Sequence, residues 1–286
     1  MDSLRIPVGH WGEQLFALIV RYMQPLFDAF SATVLFLNGS IHSGLILVSP
    51  IAAIAVVGVI SWVVAGWRLM LFALVGLALL WNQGLWSHAM STLSLVLTAS
   101  ALSLIIAIPL GVLMAEVPLI DSIASPVLDF LQTMPRFVYL IPAVVLLGID
   151  VAPAVLATMT LSIPPPARMT AIGVKEVDAH LVEAANAFGA SRWQRLMRVT
   201  LPLAAPAIML GINQCLLMAL SMVVIASLIG AAGLGTEILN AISTLNAGQG
   251  LVAGLGVFIL AVLLDRVTKG VADRFALRAV RGSAAG

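Results

Sequence analysis

Residues 183–189 read EAANAFG, and after a short basic stretch residues 199–202 read VTLP. Both lie in a segment, residues 175–202, that is rich in charged and polar side chains, whereas the stretches on either side are apolar. Such a segment is costly inside the hydrocarbon of a membrane, where every polar group needs a partner. We therefore expect residues 175–202 to lie in water and to contact another molecule there.

The composition indicates that most of the chain lies in lipid. It has 286 residues, of which 61% are hydrophobic and 9% charged, and its mean hydropathy is +1.11. A soluble domain carries about 25% charged residues. The formal net charge of +1 says little by itself, so the positions of the charges are the useful quantity. The single cysteine, Cys215, lies in an apolar run and is expected to be a small buried residue.

Seven stretches are apolar enough to cross a bilayer, which takes about 20 residues each. They are residues 44–66, 69–86, 89–115, 126–149, 151–172, 204–230 and 250–268. Before them, residues 11–30 have the spacing of an amphipathic helix, which we expect to lie in the membrane interface or to pack along other helices, rather than to span, and to bend at Pro25. The prediction is an all-α polytopic membrane protein with about seven transmembrane helices and an N-terminal amphipathic helix. No cleavable signal peptide is expected.

Prolines interrupt two of these spans. Pro135 and Pro142 lie in the fourth, and three consecutive prolines at 164–166 end the fifth. Proline removes a helix donor, and a broken helix at membrane depth is tolerated only against protein or a water-filled cavity. We expect these spans to line a pathway, with a simple packing kink as the alternative for Pro142.

The basic residues predict the orientation of the chain in the membrane. Most of them lie in two regions, namely Arg168, Lys175, Arg192, Arg195 and Arg198 near the polar segment and Arg266, Lys269, Arg274, Arg278 and Arg281 near the end. Basic residues favour the cytoplasmic side, so both regions are expected there. Seven spans then place the N-terminus outside. The turn at 116–125 is also cytoplasmic in this scheme, although it carries Glu116 and Asp121 and no basic residue.

The polar segment has the pattern of two short helices. Asp178 can cap a helix over 179–187, and Gly189 can end it in the left-handed conformation. Ser191 and Gln194 have the spacing of a capping box for a second helix. Pro202 marks the expected turn of the chain back into the bilayer. One face of the first helix, at helical spacing, consists of Leu181, Ala184, Ala185 and Phe188.

No catalytic machinery is evident in the sequence. Neither Lys175 nor Lys269 lies in the Gly-Lys-Ser/Thr context of a P-loop, so ATP chemistry would have to occur on another chain. The glycines at 230, 233 and 235 do not form a dinucleotide-binding fingerprint. The four histidines are scattered without metal-ligand spacing. We expect neither an enzyme nor a metal site.

The order Glu-Ala-Ala at 183–185, Gly189, an aliphatic residue at 199 and Leu-Pro at 201–202 resembles the coupling loop (EAA loop) of bacterial ATP-binding-cassette (ABC) importer permeases. The resemblance covers residues 88–270 and implies the type-1 permease fold. It implies that the loop contacts an ATPase, while the Leu-Pro pair sets the return of the loop. The residues so implied are Glu183, Ala184, Ala185, Gly189, Leu201 and Pro202.

Other stretches resemble the permeases of glycine betaine, proline betaine and choline importers. They are residues 126–135, 137–142, 211–214, 219–227 and 233–235. The chain departs from that pattern at Arg136, where the family has a small apolar residue. The resemblance implies import of a small compatible solute by a permease homodimer, two cytoplasmic ATPases that hold ATP and magnesium, and an external substrate-binding protein that is not fused to this chain. Membrane lipid surrounds such a protein, and neither a nucleic acid nor a cofactor in this chain is expected.

These expectations divide the chain into four parts. They are an N-terminal segment (1–43), two accessory transmembrane helices (44–87), the permease core (88–270) with its coupling loop (175–202), and a basic cytoplasmic tail (271–286).

Polar residues inside the predicted spans are candidates for the pathway. Asp129 and Arg136 are two helical turns apart, so they can form a pair near the cytoplasmic end, or Arg136 can reach the membrane interface. Alternatively, Arg136 lines the inward half of the pathway, where it would repel a quaternary ammonium and attract a carboxylate. Asn213 and Gln214 either bond between helices or face the pathway.

Two other functions remain open at this point. One is a permease for a different small solute, such as another amino acid derivative. The other is a channel or membrane scaffold that is not coupled to ATP. A channel would also have kinked apolar helices, but it would have no need of a loop shaped to fit an ATPase.

Overall fold

The computed structural model describes the backbone of residues 8–283, together with the side chains of residue 18 and residues 20–274. Every regular element in that part of the chain is helical. In chain order the helices are α1 (Val8–Leu47), α2 (Pro50–Ala65), α3 (Trp67–Asn82), α4 (Trp86–Glu116), α5 (Pro118–Thr133), α6 (Leu140–Leu147), α7 (Val151–Ser162), α8 (Pro164–Lys175), α9 (Ala179–Ala187), α10 (Arg192–Arg195), α11 (Leu201–Ser221), α12 (Val223–Ser227), α13 (Leu234–Ser243) and α14 (Ala247–Ser283). A 3-10 turn (Arg136–Tyr139) precedes α6, and a π turn (Leu196–Thr200) joins α10 to α11.

Four helical stretches in the described residues are long and apolar enough to cross a membrane. They are Val20–Leu47, Trp86–Glu116, Arg192–Ser221 and Ala247–Arg274. Helices α5 and α6 count as a fifth if they form one span, although they are bent by 107° at the break between them. Helices α2 and α3 have 16 residues each, which gives a length of about 24 Å against a hydrocarbon core of about 30 Å. The all-helical membrane class is therefore confirmed, with fewer full-length spans than the seven predicted.

The N-terminal part differs from the prediction. Helix α1 is continuous over 40 residues, so the predicted interfacial helix and the predicted start of a span at residue 44 fall in one helix that Pro25 does not end. The Asn38 side chain accepts a hydrogen bond from Ser94 at 2.6 Å, and His42 lies 3.1 Å from the Ser91 hydroxyl. These bonds to α4 satisfy the polar groups within α1. Residues 1–7 and 284–286 of the predicted terminal segments lie outside the described residues.

Helices end at two of the predicted proline sites, Pro135 and 164–166, but not at Pro142. Pro135 separates α5 from the 3-10 turn, and because it has no N–H, the carbonyl of Leu131 loses its helical donor. The Tyr139 hydroxyl donates a hydrogen bond to that carbonyl and stabilises the break. Pro142 lies inside α6 and the prolines at 164–166 form the first turn of α8, where a backbone N–H is not needed. As predicted for 164–166, α7 ends directly before these prolines, at Ser162, and α8 then begins with them.

Small residues bring α8 against both α4 and α11. A Cβ atom at Gly111 of α4 would lie 2.4 Å from the Ala167 carbonyl oxygen, and one at Gly211 of α11 would lie 2.8 Å from the Cα atom of Pro166. Glycine at these places allows the backbones to approach closely, as is usual between membrane helices. The helices that enter and leave residues 175–202 are thus packed on one another and on α4.

Candidate functional site

The first half of the coupling loop is a capped helix, as predicted. The Asp178 side chain accepts a hydrogen bond from the backbone N–H of His180 at 2.9 Å, which caps α9 at its N-terminus. At the other end Gly189 has φ +78°, in the left-handed region that favours glycine. Its N–H donates to the Asn186 carbonyl at 2.9 Å, and the N–H of Ala190 donates to the Ala185 carbonyl at 3.1 Å. This pair of bonds is a Schellman motif, which fixes the direction in which the chain leaves α9.

The second half begins with the predicted capping box but continues differently. The backbone N–H of Ser191 donates to the Gln194 side chain at 2.9 Å, and the N–H of Gln194 donates to the Ser191 hydroxyl at 3.3 Å. From Arg192 the helix then runs without a break to Ser221. The predicted turn of the chain at Pro202 was therefore wrong.

The π turn explains how Pro202 fits into a continuous helix. Proline has no N–H and its ring clashes with the carbonyl four residues earlier. Immediately before it, the N–H of Leu201 bonds the carbonyl of Leu196, five residues back. This wider turn shifts the carbonyls ahead of the proline, so Leu201 and Pro202 sit in the first turn of α11.

The coupling loop exposes large apolar side chains to its surroundings. We call Leu181, Phe188, Trp193 and Met197 the loop surface; they are 48%, 92%, 66% and 41% exposed, respectively. Glu183 and Ala184 lie on the exposed side of α9, whereas Ala185 is half-buried. Large exposed apolar side chains on a segment expected to lie in water are candidates for contact with another protein.

Three ion pairs tie the loop and α8 to the start of the broken span. Arg195 lies 3.3 Å from Glu116 at the end of α4, and Lys175 lies 2.6 Å from Asp121 in α5. Arg168 pairs with Asp129, also in α5. The two acidic residues that run against the charge pattern of the 116–125 turn are therefore partners of basic residues in and beside the loop. The predicted pairing of Asp129 with Arg136 was wrong.

Arg136 instead contacts α11. Its Nη1 atom donates a hydrogen bond to the Ser221 hydroxyl at 3.1 Å, and its side chain is exposed. Ser221 is the last residue of α11, and α11 starts at the loop. Arg136 therefore lies in the half of the helices away from the loop, and not at the loop end as the sequence had suggested.

Asn213 and Gln214 differ in their surroundings. Asn213 is 3% exposed, and its Nδ2 atom donates to the Asp265 carboxylate of α14 at 2.9 Å. The same carboxylate accepts from Lys269 at 2.7 Å. Of the two alternatives for Asn213, the structure has the bond between helices. Gln214, the next residue, is half-buried.

Sequence reasoning missed Glu116, Asp121 and Ser221 as parts of this arrangement. For the two acidic residues a signal was present, because they are expected on the same side of the membrane as most of the basic residues, where the two can pair. Ser221 had no such signal, since an isolated serine in an apolar run is ordinary.

Residues 107–279 match the family described as the binding-protein-dependent transport system inner membrane component. The match spans more than half of the chain and includes the whole coupling loop. The chain belongs to this family. It is the membrane component of a transport system and a multi-pass permease of the ABC importer class.

Relatives of this permease are similar over most of their length. The glycine betaine/carnitine transport permease protein GbuB of Listeria monocytogenes serotype 1/2a (strain 10403S) is 51% identical over 203 residues, which are 71% of this chain and 72% of the relative. The glycine betaine transport system permease protein OpuAB of Bacillus subtilis (strain 168) is 39% identical over 273 residues, or 95% and 96% of the two chains.

A solved structure supports the fold of the permease. A chain from an inward-facing structure of the MetNI methionine ABC transporter superposes with a TM-score of 0.59 at 21% sequence identity. The superposition covers 65% of this chain and 93% of that one. At this identity the similarity establishes the fold, which is the type-1 importer permease fold expected from the sequence.

Proposed function

We propose that this permease imports a small zwitterionic compatible solute of the glycine betaine and proline betaine class, driven by a separate ATPase. The loop surface is the observation that carries the proposal. It consists of four exposed apolar side chains on the capped helices α9 and α10 and on the π turn. The adjoining helices α8 and α11 pack closely on each other, and α8 also packs on α4. The substrate class rests on the relatives, whose names specify glycine betaine at up to 51% identity.

The proposed partners are those that membership of the family implies. Two ATPases, which bind ATP and magnesium, seat the coupling loops of a permease homodimer, and an external binding protein delivers the substrate. In the contact, Glu183, Ala184, Ala185 and Gly189 face or shape the ATPase side, while Leu201 and Pro202 join the loop to α11. Closure of the ATPases displaces the loops and switches the permease between two states that differ in their contacts. The exposed apolar faces of the spans are covered by lipid and by the second copy.

The experiment tests the loop contact and the energy source together. A photo-crosslinking amino acid at Phe188, with the neighbouring-gene ATPase co-expressed, is expected to capture that ATPase in intact cells. The control is the same amino acid at Leu245, which is also an exposed apolar residue (90%) but lies between α13 and α14 at the opposite end of the helices. Reconstituted permease, ATPase and binding protein are expected to accumulate labelled glycine betaine only with ATP, and the permease alone is expected to hydrolyse none.

Each alternative function predicts a different result. A channel or scaffold would equilibrate the label without ATP and would give no ATPase crosslink from Phe188. A permease for another solute would give the crosslink but would transport a different member of a panel of amino acid derivatives. Either outcome would contradict the proposal in a distinguishable way.

We further propose that the N-terminus lies on the same side as the loop. Asn38 of α1 contacts Ser94 of α4, and His42, further along α1, contacts Ser91, which is earlier in α4. The two helices are therefore antiparallel. The end of α1 therefore lies beside the start of α4, whereas α4 ends beside the loop, where Glu116 pairs with Arg195. With Val20–Leu47 as a crossing, the start of α1 lies on the loop side of the membrane, the cytoplasm, opposite to the expectation from the sequence.

Cysteine labelling tests this orientation. In a Cys215→Ala background, a membrane-impermeant maleimide is expected to label Leu245→Cys in intact spheroplasts. Ser3→Cys and Phe188→Cys are expected to react only after the membrane is permeabilised. Labelling of Ser3→Cys in intact spheroplasts would restore the outside location that the seven-span count predicted.

A further inference from the structure

Two helix breaks meet at Arg136. The first lies between α5 and the 3-10 turn, at Met134 and Pro135. The second lies between α11 and α12, at Met222. Arg136 and Ser221 are each adjacent to one break, and the hydrogen bond between them at 3.1 Å joins the two. Discontinuous helices that face each other are where membrane transporters place their substrate sites.

This junction lies at the depth of the hydrocarbon. The Sγ atom of Cys215 lies 4.0 Å from the carbonyl oxygen of Ser100. Ser100 is near the middle of α4 (Trp86–Glu116). From Cys215 to Ser221 the helix rises about 9 Å, whereas the hydrocarbon extends about 15 Å from its middle. An arginine at that depth is costly against lipid. Its side chain is exposed in the single chain, and because of that cost we infer that it faces a water-filled pathway rather than lipid.

The guanidinium has the chemistry for a carboxylate. It presents five N–H donors in a planar fork that matches the two oxygens of a carboxylate, and Ser221 takes a bond from only one nitrogen, Nη1. On either side of the break, Phe130 and Phe137 are 58% and 59% exposed. Aromatic faces attract quaternary ammonium groups. Residues 130–137 thus include a guanidinium that suits the carboxylate of a betaine and aromatic rings that suit its quaternary ammonium.

We propose that Arg136 binds the carboxylate of the transported solute at a transient site inside the membrane, a role that rests on the proposed function. Ser221 is a positioning residue for it. The Ser221 hydroxyl accepts from Arg136 and donates to the Met218 carbonyl at 2.7 Å, so it holds the guanidinium at the end of α11. A cationic solute that lacks a carboxylate offers no acceptor to the guanidinium and is repelled by its positive charge.

The test measures binding without the external binding protein. The permease–ATPase complex in nanodiscs is titrated with ¹³C-glycine betaine and, separately, with ¹³C-choline, which has the quaternary ammonium but no carboxylate. We expect the wild type to bind glycine betaine more tightly than choline. Arg136→Gln is expected to lose about 10- to 100-fold in affinity for glycine betaine, as for a charged hydrogen-bonded pair, with no loss for choline. Ser221→Ala should cause a smaller loss of the same sign.

The control variant is Arg68→Gln, which removes the charge of an arginine that lies at the start of α3 against Trp67. It should bind both solutes as the wild type does. Unchanged affinity of Arg136→Gln for glycine betaine, or a wild type that binds neither solute, overturns the inference. ATP-driven uptake by the complete wild-type system is measured in parallel. If that uptake is present, only this inference fails, whereas its absence contradicts the proposed function itself.

Discussion

Gly189→Pro is expected to abolish uptake while the protein still inserts into the membrane. Gly189 has φ +78°, whereas proline is held near −65° and has no N–H to donate to the Asn186 carbonyl. Both the left-handed residue and one bond of the Schellman motif are lost, so α9 and α10 no longer meet at their native angle. The part of the loop surface on α9 and the part that follows Gly189 would then no longer be aligned for contact with the ATPase. Uptake in proteoliposomes should fall by about 100-fold, at the upper end of coupling effects between distant sites.

Alanine variants provide the matched control for this prediction. Gly189 and Gly84 both have positive φ and open space around the position of a Cβ atom. Gly189→Ala and Gly84→Ala therefore carry a similar backbone cost of about 1–2 kcal/mol, but only the first lies at the loop. We expect a clear drop in uptake for Gly189→Ala and little for Gly84→Ala. Normal uptake by well-inserted Gly189→Pro would remove the coupling role of the loop.

Reversal of one charge in the pair between Arg195 and Glu116 is expected to uncouple ATP hydrolysis from transport. Arg195 lies in α10 and Glu116 ends α4, immediately before the broken span begins. With Arg195→Glu, attraction across this contact becomes repulsion, and displacement of the loop is no longer passed to the α4–α5 turn. The ratio of solute transported to ATP hydrolysed should fall by about 10-fold. Glu116→Arg alone should have the same effect.

The double variant decides whether the pair acts as proposed. Glu116→Arg combined with Arg195→Glu restores opposite charges at the same two positions, so the transport ratio should recover most of the loss. Arg68→Glu, a reversal at an arginine outside this contact, should leave the ratio unchanged. A double variant that is no better than either single one would show that the two residues act separately.

The loop was predictable because its determinants are local. Asp178, Gly189 and the Ser191–Gln194 box act within a few residues of themselves, and each forms the predicted bond. The helical class and the family were equally accessible, since they depend on composition and on a pattern within one segment. Pro202 was misread because the π turn that accommodates it forms from the backbone of Leu196–Thr200 and has no sequence pattern of its own.

The remaining differences come from contacts between distant segments. Asp129 and Arg136 have the spacing of a helical pair, but Pro135 lies between them and turns Arg136 towards α11, while Arg168 of α8 takes Asp129. The length of α1 depends on bonds from Asn38 and His42 to α4, which hydropathy does not reveal. A one-dimensional pattern cannot show which polar group in a membrane helix has a partner on another helix.

The uninterrupted helix from Arg192 to Ser221 has a mechanical consequence. Its 30 residues extend about 45 Å, with the proposed ATPase contact at one end and Ser221, the partner of Arg136, at the other. In the proposed mechanism, a displacement at the loop is transmitted along this one helix and changes the position of Ser221 relative to Arg136. The contact with the ATPase and the contact with the solute would then be linked through a single secondary-structure element.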